Sequence, residues 1–361
     1  MPYSLDDKLV IGVTTRALFD LSEATAVFEQ QDLKAYRDFQ REHEQVPLGP
    51  GTAFPLIRGL LEINRLTDRR LVEVVLISRN DAESAIRVFN SVETYGLAIE
   101  RGAFRGGRDP WPILKVFNCS LFLSAESAAV VEALRAGVPA ALVLAPPSVE
   151  FSSDVAEVRI AFDGDAVLFG DESEQIFQKE GLAAFERHEV ENAARPMDPG
   201  PFEPFLRALK RIQDQFPDGQ APIRTALVTS RNAPAHMRVV NTLREWGVRV
   251  DEAYFLGGLD KTPTLEVFKP HIFFDDQASH VEAARSAIPS AHVVATEPVP
   301  AQLVAFDLEG DLAGGGPIVV IPPMDTVTQA PVPAGPAPEA TPTTVTAPAV
   351  APDELIEAGK A

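Results

Sequence analysis

Short apolar runs closed at each end by polar residues alternate along this chain with stretches whose apolar residues recur at helical spacing. Leu9–Val13, Val72–Ser78 and residues 120–123 are runs of the first kind, and Val158–Phe162 and residues 225–229 and 271–274 repeat them later. Continuous apolar and β-branched runs of this length suit strands buried on both faces. Between them, residues 81–95 and 234–246 carry the helical spacing. Each of these ends at a glycine, Gly96 or Gly247, suited to a left-handed cap. Strand, helix, strand in this order predicts a parallel sheet with right-handed crossovers.

The pattern runs twice. Ser78-Arg79-Asn80 is answered by Ser230-Arg231-Asn232, Gly106-Gly107 by Gly257-Gly258, Val116-Phe117 by Val267-Phe268, and Pro139 by Pro289. Val27-Phe28-Glu29-Gln30 falls on Ile176-Phe177-Gln178-Lys179. A shared order of matches across separate blocks reads as an internal duplication in which residues 10–144 correspond to 159–294. The expected fold is therefore α/β, built from two tandem parallel-sheet domains, 1–150 and 151–321. From Pro322 the composition turns to Pro, Ala, Thr and Val, with little apolar bulk to offset ordering entropy, so residues 322–361 are expected to form a disordered tail.

Composition narrows the class. A chain of 361 residues is long enough for two cores, and its 45% apolar content includes no uninterrupted run fit to span a bilayer. Cys119, the single cysteine, is read as a small core residue and is neutral about compartment by itself; with first residues that lack the basic and apolar regions of a signal peptide, the cytoplasm is favoured. A net charge of -20 argues against binding a nucleic-acid polymer. The same charge repels small anions, so a phosphate ester would need cationic groups or a metal to reverse the field locally. Assembly into a homo-oligomer stays open.

Only the second copy keeps the acids. Where the first has Thr14-Thr15-Arg16, Pro110 and Ser124-Ala125, the second has Asp163-Gly164-Asp165, Lys261 and Asp275-Asp276. Asp163 and Asp165 fall just past the C-terminal end of a predicted buried strand, where open α/β sheets bind their ligands. Taken singly, Lys261 reads as a loop lysine and Asp275-Asp276 as a helix cap. Together with Thr229 after its own strand, the order Asp-x-Asp, Thr, Lys, Asp-Asp resembles the haloacid dehalogenase superfamily, so that each half resembles such a domain and the first is a degenerate copy. The resemblance implies a phosphotransfer centre. Asp163 would be the nucleophile that forms an aspartyl-phosphate, Asp165 the general acid and base, Thr229 a hydrogen-bond donor to the phosphoryl group and Lys261 its counter-charge. It also implies Mg²⁺ held by Asp163, the backbone carbonyl of Asp165, Asp275 and Asp276.

Longer strings narrow the likeness. Thr15-Arg16-Ala17-Leu18-Phe19-Asp20, Pro50-Gly51-Thr52-Ala53-Phe54-Pro55, the stretch from Ala161 to Glu174 and the stretch from Pro270 to Gln277 resemble the cytosolic 5'-nucleotidase I family, over residues 8 to 295. That resemblance implies Mg²⁺-dependent hydrolysis of nucleoside 5'-monophosphates to nucleoside and phosphate. Phe19, Phe54, Arg79, Asn80, Arg231 and Asn232 are candidates for reading the nucleoside, with core packing and helix capping as the plainer alternatives. The six histidines lack zinc-ligand spacing. Two other readings remain at this point: a phosphatase for another small ester, and a non-catalytic nucleotide-binding scaffold. The first copy is expected to pack against the second and to help close its substrate pocket.

Overall fold

The apolar runs become strands, and one of them turns the chain around. The computed structural model describes residues 3–109, 111–144 and 157–295; Pro110 and the expected disordered tail lie outside them. In chain order the strands are β1 (Leu9–Val13), β2 (Phe19–Asp20), β3 (Gly49–Pro50), β4 (Val72–Ser78), β5 (Arg101–Phe104), β6 (Leu121–Ser124), β7 (Ala140–Val143), β8 (Val158–Phe162), β9 (Ile223–Thr229), β10 (Glu252–Phe255), β11 (Ile272–Asp275) and β12 (Ser290–His292). β2 and β3 make a small antiparallel pair. The other ten form a single sheet in the order β10-β9-β8-β11-β12-β7-β6-β1-β4-β5. Read outward from the β7–β12 junction, the two halves have the same order.

In the ten-stranded sheet every pairing within a half is parallel, and β12 against β7 is antiparallel. The two predicted sheets are thus one sheet, because the last strand of each half has an open edge whose backbone groups need partners. Antiparallel pairing also reverses one half relative to the other. The strand C-termini of the first half open on one edge of the sheet and those of the second half on the opposite edge. The first half packs against the second as expected, but its own strand ends face away from those of the second half.

A continuous apolar core crosses the junction. It includes Ile11, Val74 and Leu123 from the first half and Ile160, Leu227 and Phe274 from the second. The helix Phe54–Glu62 reaches across to contact β8, and Glu203–Gln213 reaches back to contact β1. Phe274 anchors the second half, its ring 5.6 Å from that of Phe162 and 4.8 Å from that of Phe202. Cys119 is buried, and burial pushes its thiol up to about 12, which keeps it an inert core residue as expected.

Backbone register corrects one detail of the sequence match. Asn80 N donates to Ser78 Oγ, and Arg231 N donates to Thr229 Oγ1; Arg105 N donates to Ser78 O, and Leu256 N to Thr229 O. Ser78 therefore stands at the place of Thr229, and Asn80 at that of Arg231. The identical Ser-Arg-Asn strings are one residue out of step in space. Identity of letters outweighed strand register, which only pairing reveals.

Deleting residues 1–144 would strip β12 of its antiparallel partner and expose the shared core. The expected outcome is aggregation of residues 145–361 at the void volume in size-exclusion chromatography. A soluble monomer with native near-UV circular dichroism would contradict the shared-core account.

Candidate active site

The second half gathers its chemistry at the C-terminal ends of β8, β9 and β11. Asp163 directly follows β8, and its backbone N–H donates to Phe274 O at 2.8 Å, which ties it to β11. Gly164 follows; a Cβ there would stand 3.3 Å from Thr229 Oγ1, so glycine lets the loop lie against the end of β9. The chain then kinks, with Ala166 at φ 55°, which returns it toward the helix Glu172–Glu180. Lys261 is delivered by the turn of Gly257 and Gly258, whose φ values of 59° and 85° favour glycine.

These residues meet. Lys261 Nζ lies 2.7 Å from Asp163 Oδ1 and 2.6 Å from Asp275 Oδ2, with all three side chains buried. Asp275 Oδ2 also accepts from His280 Nδ1 at 3.2 Å, and its Oδ1 accepts from the backbone N–H of Gln277 at 2.8 Å. Burial opposes ionisation of Asp275, but the hydrogen bonds from His280 and Lys261 outweigh it and hold the carboxyl below its usual range. Lys261 is raised, because its two carboxylates outweigh its own burial. The hydrogen bond to Asp275 likewise raises His280.

The other two carboxyls behave in the opposite way. Burial pushes Asp163 up to about 6, with Lys261 pulling against the shift and Asp275 adding to it. Burial together with Asp163 and Asp275 pushes Asp276 up to about 8. One ammonium cannot neutralise three clustered carboxylates in a buried site.

The donor set fits a hard divalent cation. Ligand oxygens of Asp163, Asp275 and Asp276 all lie within 4.8 Å of one another. Asp276 Oδ1 is buried with no hydrogen-bond partner among the described residues, a vacancy in the hydrogen-bonding pattern that a cation would fill. Asp276 is positioned by its own backbone, whose carbonyl accepts from His292 Nε2 at 2.7 Å.

Asp165 sits in a separate arrangement. Both of its oxygens accept from Arg231, from Nε at 2.8 Å and from Nη2 at 2.6 Å. Behind that fork, Glu189 is fully buried and pairs with Arg231 and with Arg238, the latter at 2.9 Å, while Ser173 Oγ donates to it at 2.8 Å. Burial works against the Arg231 cation, but Asp165 and Glu189 hold it above its ordinary range. Glu189, Arg238 and His280 did not stand out in the sequence. The available signal was spacing, since His280 lies one helical turn beyond Asp275-Asp276.

The candidate nucleoside readers scatter. Phe19 and Phe54 are buried with ring centroids 6.2 Å apart, and Tyr95 packs on both, so they belong to the first-half core. Arg79 and Asn80 line a pocket at the first half's strand ends, on the opposite edge of the sheet from Asp163. Asn232 backs the lysine-bearing turn, its Cβ 3.4 Å from where Gly257 would carry one. Of the six, Arg231 alone meets a predicted catalytic residue, Asp165. His271 accepts from Arg159 N at 3.1 Å, and burial lowers its pKa to about 4, a structural role.

The profile of a family described as 5'-nucleotidase matches residues 1–298. The chain is 38% identical over 292 residues to human cytosolic 5'-nucleotidase 1B, an alignment covering 77% of this chain and 47% of that protein. It thus spans about half the length of the curated relative it matches. No solved structure matches it.

Two outcomes are expected. A carboxyl raised from 3.8 to about 8, as Asp276 is, contributes stability that is fully present below pH 3.8 and lost as pH rises to 8. A divalent cation that binds the ionised form offsets that loss. Adding Mg²⁺ or Mn²⁺ should therefore raise Tm more at pH 8 than at pH 5.5 in thermal melts; equal shifts would count against a cation at these carboxylates. In the second case, Glu189→Ala leaves two buried guanidinium groups short of a partner and should cost about 3–5 kcal/mol, read by urea denaturation.

Proposed function

Since the chain belongs to the 5'-nucleotidase family, we propose that its second half is a Mg²⁺-dependent phosphomonoesterase centre that hydrolyses nucleoside 5'-monophosphates in the cytoplasm. The observation that carries the reading is the buried contact of Lys261 with Asp163 and Asp275 beside the unpartnered Asp276 oxygen. A binding module has no use for a buried, metal-fitting carboxylate triad with its own ammonium. The relative's name supports nucleotides over other phosphate esters as the substrate class.

In this reading Asp163 attacks phosphorus in line. Its raised pKa marks a carboxylate kept poorly solvated, which favours nucleophilicity once it is ionised. Lys261 holds Asp163 in place and balances charge on the phosphoryl oxygens. Thr229 Oγ1 already accepts from the Arg231 N–H, so its own proton is free to be donated to a phosphoryl oxygen. Asp275, Asp276 and Asp163 would hold the Mg²⁺, with the Asp165 backbone carbonyl as a further ligand. When bound, the ion neutralises phosphate charge and polarises phosphorus.

Asp165 is the proposed proton donor to the leaving alkoxide and then the base toward water. Arg231 keeps it oriented between turnovers. To act as an acid it turns one oxygen from the fork toward the leaving group. Residues 10–144 are proposed to be the degenerate copy of 159–294, so the boundary near 150 separates two evolutionary units that share one sheet.

The test is phosphate release from a panel of nucleoside monophosphates and sugar phosphates with Mg²⁺. Nucleotides are expected to be the better substrates, and activity is expected to vanish in chelator. Asp163→Asn should lower kcat by roughly 10³-fold or more with little change in fold. Near-normal turnover in that variant would remove the covalent mechanism, and preference for sugar phosphates would move the substrate class.

A further inference from the structure

The first half keeps the geometry of a phosphate site after losing its acids. Thr14 stands at the place of Asp163: its N–H donates to Leu123 O at 2.9 Å, as that of Asp163 donates to Phe274 O. Ser78 replaces Thr229. Ser124 replaces Asp275, and its Oγ accepts from Glu126 N at 3.0 Å as Asp275 Oδ1 accepts from Gln277 N. Arg16 takes the sequence place of Asp165. Carboxylates at these positions have become hydroxyls and a guanidinium.

Thr14, Arg16, Ser78, Arg79 and Asn80 line a pocket there, together with the carboxylate of Glu126. Two of its groups are left unsatisfied. Thr14 is 8% exposed, and its buried Oγ1 has no hydrogen-bond partner among the described residues; the buried Nε of Arg79 has none either. Arg79 places its other nitrogens on Glu126 at 3.0 Å and on Asp109 at 2.5 Å, so two carboxylates more than offset its charge while one N–H stays unused. Arg16 differs: its Nη2 donates to Thr25 Oγ1 at 3.2 Å, and no carboxylate pairs with it among the described residues.

We propose that this pocket binds a phosphoryl oxyanion without a metal, as free phosphate or as the phosphate of a nucleotide. A tetrahedral oxyanion accepts from hydroxyl and guanidinium donors, which are the groups left unsatisfied here, and Arg16 offsets the second of the two carboxylates held by Arg79. The two carboxylates here, Glu126 and Asp109, are both held by Arg79, so they are not left facing the ligand as an uncompensated cluster. The site lies about five strand spacings from Asp163, roughly 24 Å, on the opposite edge of the sheet. Substrate bound at one site does not overlap ligand bound at the other. The inference does not depend on what the second half hydrolyses.

The test is isothermal titration of the full chain in excess chelator with inorganic phosphate, AMP and adenosine. Chelation leaves the second half with repelling carboxylates, so anion binding that survives belongs to the first half. Phosphate or AMP should bind with one-to-one stoichiometry and adenosine should not. Comparable affinity for phosphate and AMP would identify the free ion as the ligand, whereas much tighter AMP would identify a nucleotide. Thr14→Val and Arg16→Gln, near-isosteric and surface changes checked by thermal melting, should each weaken binding about tenfold or more. Lys261→Met should leave it unchanged. The proposal is overturned if neither anion binds the chelated protein, or if Lys261→Met abolishes binding while Thr14→Val and Arg16→Gln do not.

Discussion

Antiparallel pairing of β7 with β12 governs the rest of the molecule. Each half ends in a short strand with one open edge, and an unpaired buried edge is costly. Closing both edges against each other satisfies them at once and sets the apolar faces of the two half-sheets side by side. The helices Phe54–Glu62 and Glu203–Gln213 then cross the junction in opposite directions and seal one core. Parallel pairing would have brought both sets of strand ends to one edge. The antiparallel choice separates them, so one edge carries the acidic centre and the other a hydroxyl-lined pocket.

Charge explains why the acidic edge is built as it is. Asp163, Asp275 and Asp276 are held close together in a buried place, and Lys261 balances only part of their charge. The imbalance appears as two carboxyls pushed up and one held down by hydrogen bonds. Such a site is poorly stable alone and well suited to a divalent cation and a phosphate. The nearby network of Arg231, Arg238 and Glu189 solves a different problem: it fixes Asp165 through a buried fork whose charges are internally paired.

Much of the candidate site was legible because its parts sit at strand ends, where sequence pattern and spatial position coincide. A strand of known direction places the residue after it at the sheet's edge, so Asp163, Thr229 and Asp275 could be grouped from order alone. Lys261 was legible for a related reason, since the two glycines before it demand a turn. The nucleoside readers were not legible. Phe19 and Phe54 were chosen for side-chain chemistry, and a phenylalanine that stacks on a base cannot be told from one that fills a core without knowing its neighbours. Arg79 and Asn80 failed to join the centre because the direction of a half-sheet is set by a contact far away in sequence.

The sequence by itself determined the strands and helices, the doubling of their order and the set of acids kept only in the second half. These are properties of local periodicity and of residue chemistry. Tertiary structure decided that the doubled elements form one sheet, that the halves run in opposite directions, and that Ser78 takes the place of Thr229 rather than of Ser230. It also decided that Glu189 and His280 complete the surroundings of Asp165 and Asp275. Each of those outcomes depends on which distant backbone or side chain supplies a missing hydrogen bond or counter-charge, and no local pattern encodes that partner.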